Sequence, residues 1–112
     1  MKVWTRNVKM VAEDDLKEIE LFFDSSASPH ATLDLEVNTM FVRGVVSHVD
    51  QLYKVRGVVF LNELLEQLGL PRLQAGQHAG WHHNVPDIVI DEFGESVRIT
   101  CWVEQNAHLA LD

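Results

Sequence analysis

The sequence predicts an α+β domain in which two consecutive helices pack on one face of a small, mostly antiparallel sheet that closes with a C-terminal β-hairpin. Three observations carry that prediction. Residues 33–54 hold a long apolar stripe at helical spacing, residues 61–68 repeat that period over a shorter run, and residues 87–104 switch to strict alternation around a glycine-containing turn. At 112 residues the chain fits one domain, 1–112, with room for a hydrophobic core that needs no staples.

In chain order, residues 1–11 alternate loosely, with Val3, Thr5 and Asn7 on one parity and Trp4, Arg6 and Val8 on the other, which reads as a strand. Residues 13–18 favour a turn of helix with acids near its positive end. Residues 18–23 read as a strand, although Leu16, Ile19, Phe22 and Phe23 also fit one helix face. In residues 33–54, Val37, Met40, Phe41, Gly44, Val45, His48, Val49, Leu52 and Tyr53 fall on one continuous stripe, with Thr32 or Asp34 available as the cap. Gly44 on that stripe predicts a tight crossing with another element, because a mid-helix glycine costs about 1 kcal/mol relative to alanine. His48, also on it, reads as a hydrogen-bonded core histidine or one at the stripe's edge.

The stretch from residue 58 to residue 81 organises what surrounds it. Leu61, Leu64, Leu65 and Leu68 share a helical face, and Glu63, Glu66 and Gln67 take the other. Gly69 suits a left-handed C-cap, and Pro71 cannot continue the helix. Gly76 and Gly80 then point to tight turns or close backbone approach before Trp81 returns a large ring to the protein. In the hairpin, Ile88 and Ile90 alternate with Asp87, Val89 and Asp91. The turn is read over residues 92–95. Val97, Ile99, Cys101 and Val103 then alternate with Arg98, Thr100, Trp102 and Glu104. Residues 105–112 read as a tail or a last helical turn.

Composition is that of an ordinary globular protein, 46% hydrophobic and 23% charged, without repeats, low-complexity tracts or a linker. The N-terminal residues lack the apolar run of a signal peptide, and no stretch reaches the length of a membrane span, so a cytoplasmic protein is expected. The single cysteine, Cys101, allows no internal disulfide and no cysteine-based zinc site; in a strand it reads as a buried, inert thiol.

The net charge of -8 is unevenly placed. Residues 13–36 carry Glu13, Asp14, Asp15, Glu18, Glu20, Asp24, Asp34 and Glu36 against Lys17, and residues 87–112 carry Asp87, Asp91, Glu92, Glu95, Glu104 and Asp112 against Arg98. Such a chain repels nucleic-acid backbones and anionic membranes, and a basic protein surface is the complementary partner. The plainer alternative is that the acidity only keeps the protein soluble.

Histidine is the one chemically suggestive residue type. His78 and His82 would share a face if their segment were helical, and Asp87 could add a carboxylate, which makes these three weak candidates for a metal pair. Gly76 and Gly80 weaken any such helix, and no glutamate stands between the histidines as in zinc peptidases. A triad of Cys101, His82 and Asp87 has no support beyond residue type. Asp91 and Glu92 are adjacent on a strand and point to opposite faces, so they cannot work as a carboxylate pair. Trp4 and Trp81 read as core, whereas Trp102, on the wet parity of its strand, reads as a partner anchor.

The run Leu61-Asn62-Glu63, then Leu68-Gly69-Leu70-Pro71, then Gly76, Gly80 and Trp81, and a closing strand ending Val103-Glu104-Gln105-Asn106, resembles an uncharacterised domain family of phage and prophage proteins. The resemblance spans residues 18–106. It departs from the family pattern at Phe60, where a small polar cap is usual, and at Glu104 and Gln105, where an acid and an aromatic are usual. It implies a fold and a mobile-element origin, and no catalytic residues or cofactor. The leading expectation is therefore a non-catalytic protein that engages a basic host or phage protein through Glu13, Asp14, Asp15, Glu18, Glu20, Asp91, Glu92, Glu95 and Trp102, with inhibition of a nucleic-acid-handling host defence as a special case. A metal-dependent hydrolase using residues 78–87 and an oligomeric structural virion component are the alternatives.

Overall fold

A computed structural model of the chain describes residues 16–105 and Ala107. The strand expected in residues 1–11, the acids Glu13, Asp14 and Asp15, and residues 108–112 lie outside the described residues. The elements run β1 (Leu16–Phe23), α1 (Leu35–Arg56), β2 (Val59–Phe60), α2 (Leu61–Leu68), a 3-10 turn over Gln74–Gln77, β3 (Gly80–Trp81), β4 (Ile88–Phe93) and β5 (Ser96–Glu104). The α+β architecture with a C-terminal hairpin is as the sequence predicts.

Every strand pairing is antiparallel and β5 lies at the centre. One edge of β5 takes β1 over its full length, from Leu16 opposite Glu104 to Phe23 opposite Val97. The other takes β4, from Ile88 opposite Cys101 to Phe93 opposite Ser96, and then β3 through Gly80 opposite Glu104. The helical turn expected over residues 13–18 is corrected for Leu16, Lys17 and Glu18, which are extended in β1. Pairing to the whole of β5 outweighs the weak helix propensity of three residues. The hairpin turn is also tighter than expected: Glu92 and Phe93 belong to β4, and Gly94 turns the chain at φ 63°.

The inner face of the sheet presents Phe23, Val97, Ile99, Cys101 and Val103, and these join Val42, Val45 and Val49 of α1 and the leucines of α2 in one core with Trp81. In α1, Asp34 is the cap, accepting the Glu36 and Val37 N–H groups at 2.9 and 3.3 Å, and Gly57 ends the helix at φ 80°. The predicted burial of α1 is corrected in phase. The core takes Asn38, Val42, Val45 and Val49, while Val37, Met40, Phe41, Gly44 and His48 are exposed. Two apolar stripes overlap on this helix, and the choice falls on the one that includes a polar residue. Asn38 fastens the preceding loop, since its Oδ1 accepts the Thr32 N–H at 2.8 Å and its Nδ2 donates to Thr32 O at 2.9 Å. His48 is accordingly no core histidine, and Gly44 has no neighbour within 4 Å of where a Cβ would stand, so it marks no crossing within the described chain.

The residues that carried the family resemblance are structural. Leu61 is core; the Asn62 Oδ1 accepts the Leu73 N–H at 2.9 Å and holds the loop after α2. Glu63 accepts the Phe60 N–H at 2.9 Å and pairs with Arg56 at 2.8 Å. This supplies half of a capping box where Phe60, lacking a side-chain acceptor, cannot supply the other half. Gly69 closes α2 at φ 72°, and the Ser28 hydroxyl donates to Leu68 O at 2.6 Å. Gly80 permits the close backbone approach read from its spacing, since a Cβ there would lie 2.0 Å from Val59 O.

Candidate functional site

Alternation along β1, β5 and β4 sends one set of side chains inward and leaves a second set on the outer face of the sheet. Cross-strand register brings Glu18, Glu20 and Phe22 of β1 beside Trp102, Thr100 and Arg98 of β5, and sets Val89 and Asp91 of β4 opposite Thr100 and Arg98. At the hairpin end, Phe93 of β4 lies opposite Ser96. The Phe22 and Phe93 rings meet at 5.4 Å between centroids, although β5 separates their strands, and they are 36% and 54% exposed. Val89 is exposed on the same face.

Arg98 sits at the middle of this face and ties its chemistry together. Its guanidinium donates to both Asp91 oxygens, Nε to Oδ1 at 3.0 Å and Nη2 to Oδ2 at 2.6 Å. It also lies 3.9 Å from Glu20 and 5.0 Å from the centre of the Phe93 ring. Those hydrogen bonds hold the Asp91 carboxyl below the usual carboxylate range and raise the guanidinium further. The result is an aromatic and aliphatic centre, stiffened by a stacked arginine and rimmed by carboxylates.

Several expected site residues stand elsewhere or do other work. Glu18 and Glu20 are exposed on this face, Glu95 lies in the adjoining turn, and Glu92 falls on the opposite strand parity from Asp91. Among the described residues no ion pair involves Glu18, Glu92 or Glu95. Trp102 is corrected in exposure: the wet parity of its strand leaves it only 8% exposed, and the exposed rings on that parity are Phe22 and Phe93. Sequence reading missed them as a pair because Phe22 stands between Leu21 and Phe23 in an apolar run and Phe93 falls in residues 92–95, which read as the turn. The usable signal was phenylalanine on the wet parity of two strands that flank a third.

The histidine segment also differs from its metal reading. Among the described residues, no group of three His, Cys, Asp or Glu side chains is placed to hold a metal ion, so His78, His82 and Asp87 form no ligand set. His78 lies just past the 3-10 turn and His82 beyond β3, so the helix that would have aligned them does not exist. His82 Nδ1 donates to Gly57 O at 2.9 Å, and the Tyr53 hydroxyl donates to His82 O at 2.7 Å. One oxygen of the buried Glu104 accepts the N–H groups of His82, His83 and Asn84 at 2.9, 2.8 and 3.0 Å. This loop is fastened down as structure. The Cys101, His82 and Asp87 triad fails as well: burial, with the nearby Asp87 charge, pushes the Cys101 thiol up to about 12, far from a nucleophile's range.

Among the described residues, no helix is long and apolar enough to cross a membrane. A family model described as a family of unknown function (DUF6353) matches residues 2–106. No curated protein and no solved structure matches the chain.

Proposed function

Because the chain belongs to that family of unknown function, we propose from its own residues that it is a non-catalytic protein-binding module, using the outer face of β1, β5 and β4 to engage a basic protein surface. The observation that carries this is the exposed Phe22 and Phe93 pair around Arg98, with Glu18, Glu20 and Asp91 at its rim and Glu95 in the turn beside it. Aromatic rings and arginine at the centre of a patch, with charge at the edge, match the anatomy of protein interfaces. The rim carboxylates favour a lysine- and arginine-rich partner and speed encounter with it. Glu13, Asp14 and Asp15, just before β1 in sequence, add to the acidity that suits a basic partner.

A phage or mobile-element origin rests on the sequence resemblance alone, and the host-cell cytoplasm is where such a partner would be met. In the special case of an inhibitor of host defence, the rim carboxylates stand where nucleic-acid phosphates would sit in a basic groove. The test is affinity purification from host lysate with three baits: the native chain, a Phe22→Ser/Phe93→Ser variant, and a Glu18→Gln/Glu20→Gln variant. The reading expects a partner that the aromatic variant loses and that the neutralised variant holds more weakly, with a reduced salt dependence. Recovery of the same proteins by all three baits, or of none by the native chain, overturns it.

A further inference from the structure

A cavity of about 270 Å³ lies between the start of β1, the end of β5 and the turn that follows α2. Its apolar lining includes Leu61, Ala79 and Val103, all buried, and the half-buried Ile19. Its polar lining is Lys17, His78 and Gln105, and all three are exposed. The cavity therefore grades from a dry end to a wet one. Local sequence keeps it open. Lys17 stands on the inner parity of β1, opposite Val103, but a lysine keeps its ammonium in water and leaves that corner of the core unfilled. On the turn, Ala75 and Ala79 are too small to fill it. The turn is also held where it is, because Asn62 Oδ1 accepts the Leu73 N–H and Gly76 abuts Asn62 with no room for a Cβ.

We propose that this cavity binds a small amphipathic monocarboxylate, with its apolar body against Leu61 and Val103 and its carboxylate at the Lys17 ammonium. Charge selects the head of the ligand. Acids outnumber Lys and Arg by 17 to 9 in this chain, yet no acid lines the cavity. Glu18, the neighbour of Lys17, takes the outer face of the sheet. Among the described residues, Lys17 and Arg43 are the only Lys or Arg side chains in no ion pair. The Lys17 ammonium therefore has its charge to offer, and the Gln105 amide adds a second donor to the lining. A cationic head would meet no counter-charge there. Walls and size select the body. Ligand sites are mostly apolar with a few placed polar groups, and those for drug-sized molecules span about 300–1,000 Å³. This one falls just below that range, which suits a short acyl chain or a single ring.

Calorimetric titration of the full chain with octanoate reads the site, with saturable one-to-one binding as the expected result. Hexanoate should bind about fifteenfold more weakly, since each buried methylene changes the affinity about fourfold. That gain should stop once the acyl chain outgrows the cavity. Octylammonium, with the same body and the opposite head, should bind more weakly than octanoate. Lys17→Glu should reverse that order, because it replaces the attraction at the head by a repulsion. Ala75→Phe, at an exposed position, should abolish binding of both while circular dichroism shows the fold intact. Lys17→Glu, also exposed, tests the same site should Ala75→Phe fail to fold. No saturable binding of octanoate at about 10 mM, an unchanged preference for octanoate in Lys17→Glu, or an affinity that still rises beyond dodecanoate would overturn the proposal.

Discussion

Glu104 shows what a single residue decides here. Alternation along β5 places it on the wet parity, yet it is 5% exposed, because the chain after β3 folds over it and offers three N–H groups to one carboxylate oxygen. Its donors are backbone groups some twenty residues away in sequence, and no pattern of side chains announces them. Replacing Glu104 by leucine would bury those donors without an acceptor, at about 1–3 kcal/mol for each group left unpaired. The expected loss is about 3–5 kcal/mol, read as a lower urea midpoint at unchanged slope, with Glu104→Gln milder because its amide oxygen still accepts. A leucine variant as stable as the native chain would show that the loop finds other acceptors. Cys101 is the opposite case, legible from its strand neighbours as an inert thiol. With its pKa pushed up to about 12 by burial, almost no thiolate exists at pH 8, so an aromatic disulfide reagent should react only as fast as the chain unfolds. Stoichiometric labelling of the native protein within seconds would contradict that.

At the scale of elements, the helix termini, the leucine face of α2 and the inner face of β5 were legible, and the face of α1 was not. Asp34, Gly57, Gly69 and Pro71 bound α1 and α2 as capping chemistry requires, because caps act locally. The phase of α1 was misread because Asn38 enters the core through hydrogen bonds to Thr32, and a hydrophobic pattern cannot register that. The junction of α1 and α2 yields a pH prediction. Burial tends to raise the Glu63 pKa, but hydrogen bonds from Arg56 and the Phe60 N–H, with the Arg56 charge, outweigh it and hold the carboxyl below its ordinary value of 4.5. A pKa depressed by folding means the native state binds its proton less readily than the unfolded chain does. The stability this contributes is therefore complete well above 4.5 and is lost as the pH falls through the folded value. Urea titrations of the native chain and Glu63→Gln should show a constant stability gap from pH 7 to about pH 6 that closes below about pH 4.5. A gap independent of pH would mean that packing, not charge, holds this junction.

For the molecule as a whole, topology redistributes charge that the sequence presents in blocks. Asp24 accepts hydrogen bonds from Ser26 and from Ser96, 72 positions away; Asp34 caps a helix; Glu104 is inside; and Glu63, Glu66 and Asp50 hold cations. What remains on the outer sheet face is a rim rather than a uniformly acidic patch, which is why its centre is aromatic. That face stands on the side of the sheet away from the helices, with the core between them. Substitutions at exposed positions on a layer that shares no contacts with the helices leave the packing beneath them in place. Phe22→Ser/Phe93→Ser should therefore release a captured basic partner while the urea midpoint of the isolated chain stays nearly unchanged, because both rings are exposed. A large fall in that midpoint would mean that the two rings serve the fold rather than a partner.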